Sequence, residues 1–71
     1  MKLHYDADSD SLYIELSATP GSDAHEIAPG VVADFDSGGN LVGLDIEDAS
    51  KKMDLRKLEL DSLPLMLATP A

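Results

Sequence analysis

Two stretches of this chain alternate apolar and polar residues around turn-forming centres, and each can be tested for a register that satisfies both sheet faces at once. In the first, Leu3 and Tyr5 alternate with Lys2 and His4, and Leu12, Ile14 and Leu16 alternate with Tyr13 and Glu15. A period of two marks half-buried strands, and Asp6-Ala7-Asp8-Ser9-Asp10-Ser11 between them has the composition of a turn. Pairing Asp6 with Ser11 sets Tyr5 opposite Leu12, Leu3 opposite Ile14 and Met1 opposite Leu16 on one face, with Lys2 opposite Glu15 on the other. A slip of one residue would turn every side chain to the wrong face, so agreement on both faces predicts this hairpin.

The second stretch passes the same test. Val31, Ala33 and Phe35 form one side of a strand, Val42, Leu44 and Ile46 one side of the next, with Asp36-Ser37-Gly38-Gly39-Asn40 between them. Pairing Phe35 with Val42 places Ala33 opposite Leu44 and Val31 opposite Ile46. A Gly38-Gly39 turn and a wider Ser37-to-Asn40 loop give the same register. The other face carries Asp34, Asp36, Gly43 and Asp45, with Val32 and Leu41 its apolar members. Between the hairpins, residues 17–23 read as a loop, 25–28 as a short extended segment and Pro29-Gly30 as a turn. A two-residue turn opposes Ile27 to Val32, a three-residue turn opposes it to Ala33, and both remain open.

From Asp48 the period changes. A helix is predicted over Ala49 to Leu58 with Asp48 as its N-cap, and Asp54 is a second capping candidate for Leu55 to Leu60. Leu58-Glu59-Leu60-Asp61 also alternates as a strand would, which leaves 59–63 uncommitted. The predicted architecture is α+β: an antiparallel sheet of four or five strands built on two hairpins, with a short C-terminal helix packed on one face. It forms a single domain over 1–71, with its core in 3–63 and an apolar tail in 64–71.

Size and charge then bound the function. A chain of 71 residues buries only about 60% of the surface it exposes unfolded. There is no cysteine for a disulfide and no Cys/His spacing for structural zinc. Self-association, most simply a dimer, is therefore expected. Five basic residues against 14 acidic give a net charge of −9, which repels phosphate backbones and suits a basic protein partner. Nucleic acid is not an expected partner of the chain alone. The longest apolar run, Leu63 to Ala68, is broken by Pro64 and falls far short of the ~20 residues a spanning helix needs. No membrane partner is expected, and the first residues lack the apolar core of a signal peptide, so a cytoplasmic location is expected.

Asp6-x-Asp8-x-Asp10 has the opening spacing of a calcium loop, but Ser11 stands where that loop requires Gly and Ser17 where it requires Glu. A hairpin turn is the simpler reading. Asp34, Asp36, Asp45, Glu47 and Asp48 form a second acidic group, with Asp34 and Asp45 close together on one face. Such acids suit a metal-dependent or small-molecule-binding enzyme, whereas a wet sheet face needs no chemistry at all. His4 and His25 stand without HxH or HExxH spacing, and no catalytic residue, metal ligand or cofactor is assigned. Lys51, Lys52, Arg56 and Lys57 hold four of the five positive charges. They suit a phosphate contact or, more simply, a solvated helix face. The tail residues Leu63, Leu65, Met66 and Leu67 exceed what so small a sheet buries, and contact with a partner stands level with packing on the chain itself. The candidate partner-binding residues are therefore Asp34, Asp36, Asp45, Leu63, Leu65, Met66 and Leu67.

The order and spacing of Tyr5-Asp6-x-x-x-Asp10-Ser11-Leu12-Tyr13-Ile14, of Glu26-Ile27-Ala28-Pro29-Gly30-Val31-Val32-Ala33-Asp34-Phe35-Asp36 and of Gly39-Asn40-Leu41-Val42-Gly43-Leu44-Asp45-Ile46-Glu47-Asp48-Ala49-Ser50 resemble a small bacterial family, domain of unknown function 2283, the YuzE-like proteins. The resemblance runs from residue 3 to about residue 53. It carries no established activity and no catalytic residues. It implies an antitoxin-like role, because members of the family look like partners of small basic toxins.

Overall fold

A computed structural model describes residues 1–66 and residue 68. Five strands, β1 (Lys2–Asp6), β2 (Ser11–Glu15), β3 (Asp23–Ala28), β4 (Val31–Phe35) and β5 (Leu41–Ile46), are followed by the single helical turn α1 (Ala49–Lys52). All neighbours are antiparallel, in the order β1-β2-β5-β4-β3. The meander β3-β4-β5 is local in sequence, and the β1-β2 hairpin joins it along the β2-β5 seam, with Leu12 opposite Ile46 and Ile14 opposite Leu44.

The first hairpin has the expected register throughout its strands, from Lys2 opposite Glu15 to Asp6 opposite Ser11, while Met1 and Leu16 lie outside the strands. In the second, Val31 faces Ile46 and Ala33 faces Leu44 as expected, but Phe35 faces Leu41 rather than Val42. A bulge between Asp34 and Phe35 adds a residue on the β5 side, a distortion that perfect alternation in the sequence does not signal. Val42 is buried next to the 17–22 loop, whose Gly21 has room for a Cβ only 3.8 Å from Val42 Cγ2.

The β3-β4 turn resolves the open register in favour of neither alternative. Glu26 faces Val32 and Ala28 faces Val31, so Ile27 is the extra residue of a bulge and has no partner. Pro29 followed by Gly30 at φ 72° has the signature of a type II turn, whose twist opposes that of the flanking strands. The bulge absorbs the mismatch.

The helix is much shorter than predicted. It stops at Lys52, and Met53 is already extended at φ −149°, ψ 160°. Asp54 caps no second helix; its carboxylate accepts the Arg56 N–H at 3.0 Å in a local turn. A helix this short offers little return on its nucleation, and residues 54–63 contain neither helix nor strand. What α1 contributes is Ala49, fully buried against Leu12 and Ile46, with Ile14, Val31 and Met53 packed around them. The sheet dominates the fold.

Asp48 does not cap α1 either. It sits in the left-handed region at φ 50° and makes no side-chain cap bond. Asp10, in the turn of the first hairpin, takes that role. Its carbonyl accepts the Ala49 N–H at 2.9 Å, and its carboxylate accepts the Ser50 N–H at 3.0 Å and the Ser50 hydroxyl at 2.6 Å. The Tyr5 hydroxyl donates to the same carboxylate at 2.7 Å. These bonds hold the Asp10 carboxyl below the usual range, the Ser50 hydroxyl contributing most and Tyr5 next. The same contact pushes the Tyr5 phenol up.

Candidate functional site

Alternation divides the sheet into an apolar face, bearing Leu3, Tyr5, Leu12, Ile14, Ala33, Leu44 and Ile46, and a polar face. On the polar face Tyr13 stands opposite Asp45, Glu15 opposite Gly43, and Asp34 on the far side of Gly43. The Tyr13 ring lies over Gly43 and its hydroxyl reaches Asp34 at 3.4 Å. A Cβ on Gly43 would come to 2.9 Å from Tyr13 Cζ and closer still to the hydroxyl, so glycine is what lets the ring cross β5. Partial burial, then the nearby carboxylate of Asp34, then Glu15 and Asp45, push the Tyr13 phenol up. It is thereby held as a neutral hydrogen-bond donor among three negative charges.

Lys2 stands opposite Glu15 on this face without closing an ion pair with it. Among the described residues the ion pairs are His25–Asp23, Arg56–Asp54 and Lys57–Glu59, and none uses Glu15, Asp34 or Asp45. The structure thus brings Asp34 and Asp45 together around Tyr13, which sequence reasoning did not single out. The signal available was a glycine inside a strand. Asp36 stands apart. One oxygen of its carboxylate accepts the N–H groups of Gly38 and Asn40, each at 2.9 Å, and the Asn40 amide donates to both oxygens at 3.2 Å. Chiefly the Asn40 N–H holds its carboxyl low. Asp36 organises the β4-β5 loop.

On the apolar face, Met1, Leu3, Ile14, Leu58, Leu60, Leu65, Met66 and Ala68 line an open groove of about 450 Å³ between the sheet and the C-terminal segment. Leu65 and Met66 of the tail belong to it, Leu63 is exposed beyond it, and Leu67 lies outside the described residues. Met66 is 93% exposed. The tail therefore covers the apolar face only in part.

The remaining candidates are engaged locally. Asp6 accepts the Asp8 N–H at 3.0 Å, and with Asp10 committed to Ser50 and Tyr5 the first acidic run is a turn. Lys52 donates to the Glu47 carbonyl, and with α1 ending there Lys52 and Arg56 share no helix face. His25 bonds Asp23 at 2.8 Å and tilts against Phe35 with ring centroids 5.8 Å apart. Among the described residues no three His, Cys, Asp or Glu side chains converge as a metal cage. No helix among them is long and apolar enough to cross a membrane.

The family described as protein of unknown function, DUF2283, matches residues 2–50. The chain belongs to that family. The match takes in all five strands and ends at Ser50, the residue that closes on Asp10, so the C-terminal segment lies beyond it. No curated protein and no solved structure matches the chain.

Proposed function

We propose that this family member is a protein-binding module whose partner is a basic protein met on the polar face around Tyr13. The observation that carries the reading is the group of Glu15, Asp34 and Asp45 about a neutral phenol, with no cation of the chain paired to any of them among the described residues. An aromatic ring offers contact area at little entropic cost, and carboxylates around it draw in and orient a cationic surface. Such a pattern is suited to Arg and Lys side chains, the guanidinium lying on the ring while the carboxylates accept its N–H groups. The antitoxin-like reading, with a small basic toxin as partner, is the specific form of this proposal. The apolar groove with Leu65 and Met66 adds a second contact surface on the opposite face.

The test is capture from native lysate followed by titration of the purified partner against the wild type and against a variant carrying E15Q, D34N and D45N. Binding that weakens at least tenfold in the variant, and in the wild type as salt rises, supports the reading. Equal affinity of the two proteins, with the variant's fold intact, overturns it.

A further inference from the structure

The two ends of the sheet are open strands, both exposed and both bearing charges, and only one of them carries a bulge. At that end the Ile27 bulge in β3 twists the edge away from pairing. At the other end all five residues of β1 are exposed, with neither bulge nor proline. Its sequence, Lys2-Leu3-His4-Tyr5-Asp6, is complementary to itself when reversed. Antiparallel pairing of two copies about His4 sets Lys2 of one against Asp6 of the other, and Leu3 against Tyr5, twice over by symmetry. Lys2, His4 and Asp6 lie on the polar face, Leu3 and Tyr5 on the apolar face, so charge meets charge and apolar meets apolar. Centring the pair on Leu3 instead opposes Lys2 to His4 and leaves Asp6 without a partner. Centring it on Tyr5 leaves Lys2 without one.

From this we infer that the β1 edge is the docking surface for a second copy of the chain, making a two-fold dimer with one continuous ten-stranded sheet. The inference gives a surface to the self-association expected of so small a core, and it stands apart from the polar face proposed for a basic partner while sharing Met1 and Leu3 with the apolar groove. A two-fold edge pair closes on itself and leaves the blunted β3 edges outermost, whereas a β1-to-β3 contact would propagate into a filament. Apolar side chains lie where the two copies would meet: Met1 is 74% exposed, Leu3 47% and Tyr5 42%. The bond from Tyr5 to Asp10 already fixes its ring on that face.

Sedimentation of the full chain and of charge-swapped variants tests the pairing. The wild type is expected to sediment as a dimer, and K2E or D6K alone, each creating two like-charge pairs, to raise the dissociation constant about tenfold or more. An equimolar mixture of K2E and D6K restores opposite charges at both positions and is expected to dimerise as the wild type does. Because the chain has no cysteine, H4C is expected to oxidise to a covalent dimer, its two thiols facing each other across the symmetry axis, while A24C on β3 is expected to dimerise without cross-linking. Asp6 also accepts the Asp8 N–H, so if D6K fails to fold, slower cross-linking of K2E/H4C than of H4C supplies the same evidence. A wild type that stays monomeric at about 1 mM overturns the inference. So does a dimer indifferent to K2E and D6K, or a mixture no tighter than its components.

Discussion

Asp10 and Asp36 are two hairpin-turn carboxylates with the same chemistry and different reach. Asp36 spends its bonds on Gly38 and Asn40, within its own loop, and the loop returns the main-chain bonds from Asp36 N–H to Asn40 and from Gly39 N–H to Asp36. Asp10 bonds Ser50, forty positions away, and so ties the first hairpin to the start of α1. A local bond shapes a turn that the chain makes in any case. A distant one closes a long loop and holds Ala49 over Leu12 and Ile46, so its loss is felt in the core.

The contrast is open to direct attack. D10A should have the largest effect, lowering Tm by on the order of 10 °C in a thermal scan and removing exchange protection from the Ser50 amide. D36A should cost roughly half as much, with exchange rising only at Gly38 and Asn40. Equal losses would erase the distinction. S50A, which keeps the main-chain bond to Asp10 and gives up the hydroxyl, should lower Tm by about 3 °C. A pH series sharpens the comparison further. Both carboxyls ionise below their ordinary range in the folded chain. The stability each contributes is therefore present above the unfolded value of about 4 and is lost as pH falls through the lower folded value. The Tm gap between wild type and D10N should accordingly hold steady at neutral pH and narrow on acidification below pH ~4. A gap that widens with acid would contradict the bonding described.

Why some of this was legible in sequence and some was not follows from range. Strand registers read correctly wherever both faces gave the same answer, as in Leu3 with Ile14 or Ala33 with Leu44. The pairing of Phe35 failed by one residue, at Leu41, and the register at Ile27 stayed open, in both places because a bulge spends a residue without disturbing composition. Helix capping is normally a local matter, which makes Asp48 the natural candidate beside Ala49. The donor groups of α1 instead find an acceptor from a different hairpin, and no window of sequence contains both. The apolar residues Leu55, Leu58 and Leu60 suggested helix or strand, but the segment forms neither and sets Leu58 and Leu60 beside Met1, Leu3 and Ile14. On the polar face Asp34 and Asp45 could be placed together by register alone. That Tyr13 crosses Gly43 to join them depends on side-chain direction, which alternation does not specify.

The strand order has a kinetic consequence. The β1-β2 hairpin and the β3-β4-β5 meander each close through short turns and can form on a microsecond scale, whereas the β2-β5 seam brings Leu12 to Ile46 across about half of the chain. Docking of the two preformed pieces along that seam is then the step that sets the folding rate. Truncations of Ile14 or Leu44 should slow refolding, while changes in the Asp36 loop should leave that rate untouched and appear as faster unfolding.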